Sequence, residues 1–314
     1  MQSHASRHVV SDFLKDLHPD LSPPGFPKEV IKDEIAVRRN SCEALASLAL
    51  VLTGRSAIAK ADGMASLTGA LLTAPEAAAR ALRHFSMSRD GLGLLNQVLD
   101  LVVPALAELV MRPKEDGISL KACENAVSTM AGVATMEAGC MACLTYRVPR
   151  AVVSLVRRGI SGDFKFEPTL MDCLEQCASC LDQIAHHPLG KLAVMEAEGI
   201  PVLGKMLPLC SYHPSALLKT TSTLMGCSVE KECKLDIMRY AGFELIQLLR
   251  NSSDERVVSN ARDTLKSSAE HLEARACMTS MLTERQQVEF VFKGPLPPSP
   301  PDFRYKVTLP GHAQ

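Results

Sequence analysis

The side chains best equipped for chemistry are thiols and imidazoles: Cys173, Cys177 and Cys180, with His186 and His187 close behind, and a second Cys-x-x-Cys pair at Cys140 and Cys143. Thiolate and imidazole are the soft donors that hold a tetrahedral zinc ion. Their spacing points elsewhere. Cys173, Cys177 and Cys180 fall at i, i+4 and i+7, on the same stripe as Leu181 and Ile184, which is the pattern of a helix face turned to a core. Between Cys143 and Cys177 stand 33 residues, more than the roughly 15 to 20 of a zinc ribbon. Buried free thiols are therefore the expectation, with no metal and no other cofactor, and a zinc-binding protein ranks third among the functional readings.

Catalysis finds no support in the motifs. There is no Gly-rich phosphate loop, no Gly-x-Ser-x-Gly elbow and no His-Glu-x-x-His, and Gly91-Leu92-Gly93 lacks the third Gly and the preceding strand of a dinucleotide site. The carboxylate pairs Asp172 with Glu175, and Glu230 with Glu232, read as solvated helix faces and turns. The sequence predicts a protein that is not an enzyme. A basic cluster, Arg147, Arg150, Arg157 and Arg158, surrounds the helix expected to open at Pro149 and is a candidate anion patch. The plainer reading of those arginines is a solvated face. Ser299, before Pro300, is a candidate phosphoacceptor or an ordinary tail residue.

These groups must be carried by helices. Hydrophobic residues make up 46% of the 314, aromatic ones only 4%, and Trp is absent, so the core draws on Leu, Ala, Val, Met and Cys, most of them good helix formers, rather than on the aromatic residues favoured in strands. A net charge of −1 removes the whole-chain footprint of a nucleic-acid binder. No run of about 18 apolar residues is present to insert in a membrane. Eleven Cys scattered through apolar patterns, with no secretory leader at the start, predict a reducing compartment, cytoplasmic with nuclear possible.

One pattern recurs six times: a small residue, then Leu or Val, then an apolar residue, anchored at Leu45, Leu82, Val127, Leu181, Leu224 and Leu265, with steps of 37, 45, 54, 43 and 41 residues. A second series keeps step with it, where Gly or Pro opens an apolar helix beside Met64, Val103, Val148, Ile200 and Phe243. Gly ends one helix and Pro begins the next without losing a bond. The long step holds Arg158-Gly159-Ile160-Ser161-Gly162-Asp163-Phe164-Lys165-Phe166-Glu167-Pro168, which reads as a protruding loop. Residues 1–33 are expected to be a partly helical or disordered N-terminal segment, 34–293 the repeat domain, and 294–314, with six Pro, a Pro-rich disordered tail.

Steps of roughly 40 to 47 residues belong to armadillo and HEAT arrays. Glu198 to Leu207 and Ala241 to Leu249 resemble the second helix of an armadillo repeat, and Asp254 to Leu265 the third helix after it. The resemblance implies an all-α fold, a right-handed superhelical solenoid of about six armadillo-like repeats, whose third helices line a concave groove. Nuclear-import adaptors of this kind carry a Trp and Asn ladder there. Carried residue by residue, the Trp-like positions are Glu43, Arg80, Asn125, Ser179, Ser222 and Asp263, and the Asn-like positions are Ser47, His84, Thr129, Gln183, Gly226 and Ser267. Neither ladder is present, so a partner other than an import signal is expected. The first reading is a scaffold or adaptor that binds a protein partner or peptide through this groove. The alternative is a structural or regulatory subunit, or shortened form, of a larger assembly or co-chaperone.

Overall fold

The computed structural model describes residues 28–112, 117–164 and 169–281, with side chains from Ile35 onward. The expected tail at 294–314, Ser299 and residues 165–168 lie outside the described residues. Those described form α-helices with one short 3-10 turn and no strand. Helix α1 spans Lys28–Leu48, so it opens within the segment expected at 1–33. Then come three-helix units: α2 (Leu52–Lys60), α3 (Gly63–Ala70) and α4 (Pro75–Ser86); α5 (Arg89–Leu95), α6 (Leu99–Met111) and α7 (Leu120–Val133); α8 (Glu137–Thr145), α9 (Val148–Ser161) and α10 (Leu170–Ala185); α11 (Pro188–Glu196), α12 (Gly199–Leu209) and α13 (Pro214–Cys227). In the fifth unit the first two helices are one, α14 (Lys231–Asn251), succeeded by α15 (Glu255–Ser268) and by α16 (Leu272–Met281).

The stacking is that of a solenoid, each unit burying its face on the next. Third helices pack in the order α1, α4, α7, α10, α13, α15, and second helices in the order α3, α6, α9, α12, α14. The six anchors Leu45, Leu82, Val127, Leu181, Leu224 and Leu265 are all buried, in one continuous core of small and aliphatic side chains.

Local signals set the boundaries. Pro75, Pro188 and Pro214 open α4, α11 and α13 at positions that need no backbone donor. Ser88, Ser119 and Asp254 accept a backbone N–H from the first turns of α5, α7 and α15. The tight link between first and second helices passes through a left-handed residue at Asp62, Arg147 and Glu198, with φ of 57°, 55° and 58°. A further series is visible only once the helices are stacked. Gly54, Gly91, Gly139 and Gly190 each lie six residues after a third-helix residue (Leu48, Phe85, Val133, Ile184) whose carbonyl oxygen would collide with a β-carbon there. Only Gly lets the first helix fold back that closely.

Three expectations need correction. Pro104 does not open a helix; it sits inside α6, which starts at Leu99. Gly242 and Phe243 do not open one either, because α14 runs through them without a break. Pro149 and Pro201 come just after the left-handed residues that part first from second helices in earlier units, and α14 has neither feature. Finally, Arg158 to Ser161 continue α9, which ends at the left-handed Gly162, and Phe164 turns back into the core at 2% exposure, so the described part of the expected loop, 158–164, does not protrude.

Candidate functional site

The third helices turn one face to the first and second helices and the opposite face outward. Polar pairs stitch that outward face together from unit to unit. Arg80 on α4 pairs with Glu43 on α1. Arg83 on α4 donates to Glu124 Oε1 at 3.1 Å and Asn125 Oδ1 at 3.0 Å on α7, and Lys121 holds the same carboxylate at 2.7 Å. Lys219 on α13 reaches Asp182 on α10 at 3.3 Å. Asn260 on α15 donates to Thr221 Oγ1 on α13 at 3.3 Å. At the N-terminal edge, Ser119 donates to Glu76 and Ser215 to Glu175, each at 2.7 Å.

The expected groove residues divide. Arg80, Ser179, Gln183 and Ser222 lie half-buried on this face, Ser47 and Asp263 are exposed on it, and Ser47 Oγ donates to the Glu43 carbonyl. His84 is half-buried with Nδ1 2.7 Å from the Ala46 carbonyl of the preceding third helix. Gly226 and Ser267 are half-buried at the C-terminal end of the row, where Ser267 Oγ donates to the Ser228 carbonyl. Asn125 and Thr129 are not on the surface at all, being 0% exposed. The anchor on α7 is three residues out of phase: Met130 rather than Val127 is the counterpart of Leu82 and Leu181, and Ser128 and Gly132 take the places of Arg80 and His84. α7 is sandwiched between α4 and α10 and built from small side chains, so it buries nearly its whole circumference. Arg83, Glu124, Asp182 and Lys219 were missed because the ladder positions skip them. Their signal was a charged residue one position beyond the anchor for Arg83 and Asp182, and three or five before it for Glu124 and Lys219.

The arginine cluster is largely engaged in structure. Arg158 donates to the Val110 and Arg112 carbonyls at 2.6 and 2.7 Å, closing the C-terminus of α6, and its guanidinium lies 5.6 Å from the Phe164 ring centroid. Arg157 donates to Glu198 at 2.7 Å. Arg147 is the left-handed residue before α9, and Arg150 is exposed on that helix. The arrangement satisfies helix ends and inter-unit pairs rather than gathering four cations on one ligand.

Cys173, Cys177 and Cys180 are buried, and Cys123, Cys140 and Cys143 are buried in the neighbouring helices α7 and α8. Burial pushes the Cys143 and Cys42 thiols up to about 12 and that of Cys210 to about 11. These are protonated thiols at neutral pH. Among the described residues, no three His, Cys, Asp or Glu side chains converge as metal ligands. No single described helix is long and apolar enough to cross a membrane.

No protein-family model and no curated protein matches this sequence. Solved structures do. Two engineered proteins match with TM-scores of 0.62 and 0.63 at 19% and 15% identity, over 83% of this chain and 96% and 98% of theirs. A designed armadillo repeat protein in complex with the peptide (KR)4 matches with a TM-score of 0.61 at 15% identity, over 82% of this chain and 99% of its own. The chain has an armadillo-like helical-repeat fold.

Proposed function

We propose that this protein is a non-catalytic interaction scaffold whose stacked third helices bind a protein partner or peptide, in a reducing compartment such as the cytoplasm or nucleus. The observation that carries the reading is the outward row Ser47, Arg80, Ser128, Ser179, Ser222 and Asp263, presented by six successive helices on one surface. A designed armadillo protein of similar fold is in complex with a peptide, (KR)4. Here the three cations Arg80, Arg83 and Lys121 stand against two carboxylates, Glu43 and Glu124, in the first half of the row, so a purely basic peptide does not suit it. A ligand of mixed or acidic character does.

The test compares proteins retained from a native lysate by the unaltered chain, by a Ser179→Arg/Ser222→Arg variant and by an Arg150→Glu variant on α9. Loss of a partner with the first variant and retention with the second supports the reading. Equal retention by all three overturns it.

A further inference from the structure

Two of the buried thiols face each other across a chain link. Cys227 is the last residue of α13 and Cys233 lies in the first turn of α14, with Ser228, Val229 and Glu230 between the two helices. Two successive turns fold that link: the Glu230 N–H donates to the Cys227 carbonyl at 3.0 Å, and the Cys233 N–H to the Glu230 carbonyl at 3.1 Å. They bring the two sulfurs into hydrogen-bonding contact, both residues being 0% exposed. Cys173 and Cys177 also touch, but they stand four residues apart on one helix. Their β-carbons are then held about 5–6 Å apart, beyond the roughly 3.5–4.5 Å that a disulfide spans. A pair on either side of a short link is under no such constraint.

The two thiols are not equivalent. The Cys227 S–H donates to Cys233, which holds the Cys233 thiol below its ordinary value against burial and the carboxylates of Glu230, Glu232 and Asp236. The same contact, with burial, pushes Cys227 up. A place in the first turn of a helix acts on Cys233 in the same sense, because backbone N–H groups there favour a thiolate. Cys42 and Cys143, by contrast, are pushed up to about 12 by burial. Lys191 on α11 reaches Glu230 at 3.6 Å and is near enough to Cys227 to act on its charge, so one half-buried ion pair stands beside the sulfurs. Val229 in the link is 64% exposed. Local opening of so short a link admits a molecule little larger than water, such as hydrogen peroxide, without unfolding either helix.

We propose that Cys233 and Cys227 are a peroxide-reactive dithiol, the attacking and the resolving thiol, which closes to a disulfide and pins the start of α14 to the end of α13. The Cys233 sulfur, having given up its proton, attacks one peroxide oxygen; the O–O bond breaks, and the leaving hydroxide takes up that proton as water. Cys233 is then a sulfenic acid. The Cys227 sulfur attacks the Cys233 sulfur, the S–O bond breaks, and the hydroxyl leaves with the Cys227 proton as a second water. Two thiols lose two electrons and one hydroperoxide gains them. A thiol reductant reverses the step, so in a reducing compartment the disulfide is transient. The dithiol does not depend on the third-helix row or on its partner.

The test is a hydrogen peroxide titration of the full chain at neutral pH, followed by alkylation, tryptic digestion without reductant and mass spectrometry. The expected product is the peptide Thr220–Lys231 joined to Glu232–Lys234, with Cys42 and Cys143 still reduced and with dithiothreitol restoring both thiols. In Cys227→Ser the reaction should stop at a Cys233 sulfenic acid that dimedone traps, and in Cys233→Ser the Cys227 thiol should stay reduced. The disulfide should also slow hydrogen exchange of the Glu230 and Cys233 amides by about tenfold, because it blocks opening of the link. A pair still reduced at the peroxide concentration that oxidises the partly exposed Cys277 would overturn the proposal. So would a disulfide from either cysteine to any other, or a Cys227→Ser chain whose Cys233 remains a thiol.

Discussion

Arg83 on α4 donates to the carboxylate of Glu124 on α7, 3.1 Å away, and the Glu124 side chain is only 4% exposed. This contact spans two units and sits beneath the outward row, so it joins the stability of the array to the shape of the surface it presents. Removing one partner leaves a desolvated charge, held then by Lys121 alone. Arg83→Ala is expected to cost about 2 kcal/mol in urea unfolding, with Glu124→Gln costing less because it removes the charge as well.

Gly139 and Gly91 are predicted to invert the usual helix rule. Alanine in a helix is ordinarily more stable than glycine by about 1 kcal/mol. Here the added methyl would meet the carbonyl of Val133 or Phe85, and overpacking against backbone costs about 1–3 kcal/mol. Gly139→Ala and Gly91→Ala should lower the melting temperature, whereas Gly93→Ala, with open space around it, should raise it.

The left-handed Asp62 and Arg147 are stabilisable. Placing an L side chain in that region costs about 1–2 kcal/mol, offset in part by glycine's greater freedom in the unfolded chain. Asp62→Gly and Arg147→Gly should each gain about 0.5–1 kcal/mol by chemical denaturation. Glu198→Gly should gain less, because it also gives up the ion pair with Arg157.

The buried thiols give a pH dependence. Burial raises Cys42 and Cys143 from 9.0 to about 12 and Cys210 to about 11. Between pH 9 and those values the folded state holds protons that the unfolded state has released, so stability is full below pH 9 and declines as pH rises. Melting temperature should fall steadily from pH 8.5 to 10.5. Alkylation of the native protein at pH 8 should modify Cys277, the partly exposed thiol, before any of the ten buried ones.

Much of this architecture was legible because its signals are local and repeated. Leu45, Leu82, Val127, Leu181, Leu224 and Leu265 mark six stacked helices, and all are buried. The outward row was harder to read. A helix half in water shows a polar stripe, but α7 shows little of one, since Ala122, Cys123, Ala126 and Ala131 let its neighbours close around it and bury Asn125 and Thr129. The continuous α14 escaped because Gly242 resembles the glycines that open other second helices, while the left-handed residue that precedes Gly63, Val148 and Gly199 has no counterpart in this unit. Arg158 groups with its charged neighbours in the sequence, which shows the guanidinium and not the Val110 and Arg112 carbonyls it meets in the fold.

The measurement that bears most directly on the scaffold reading is site-specific photo-crosslinking in native lysate. A photoreactive residue is placed singly at Ser128, Ser179 or Ser222 on the third helices, and at Lys205 or Arg150 on the second. Binding along the outward row predicts one common partner crosslinked from the three serine positions and not from the other two. Crosslinks confined to Lys205 and Arg150 would contradict it, and would place the binding surface on the opposite side of the solenoid.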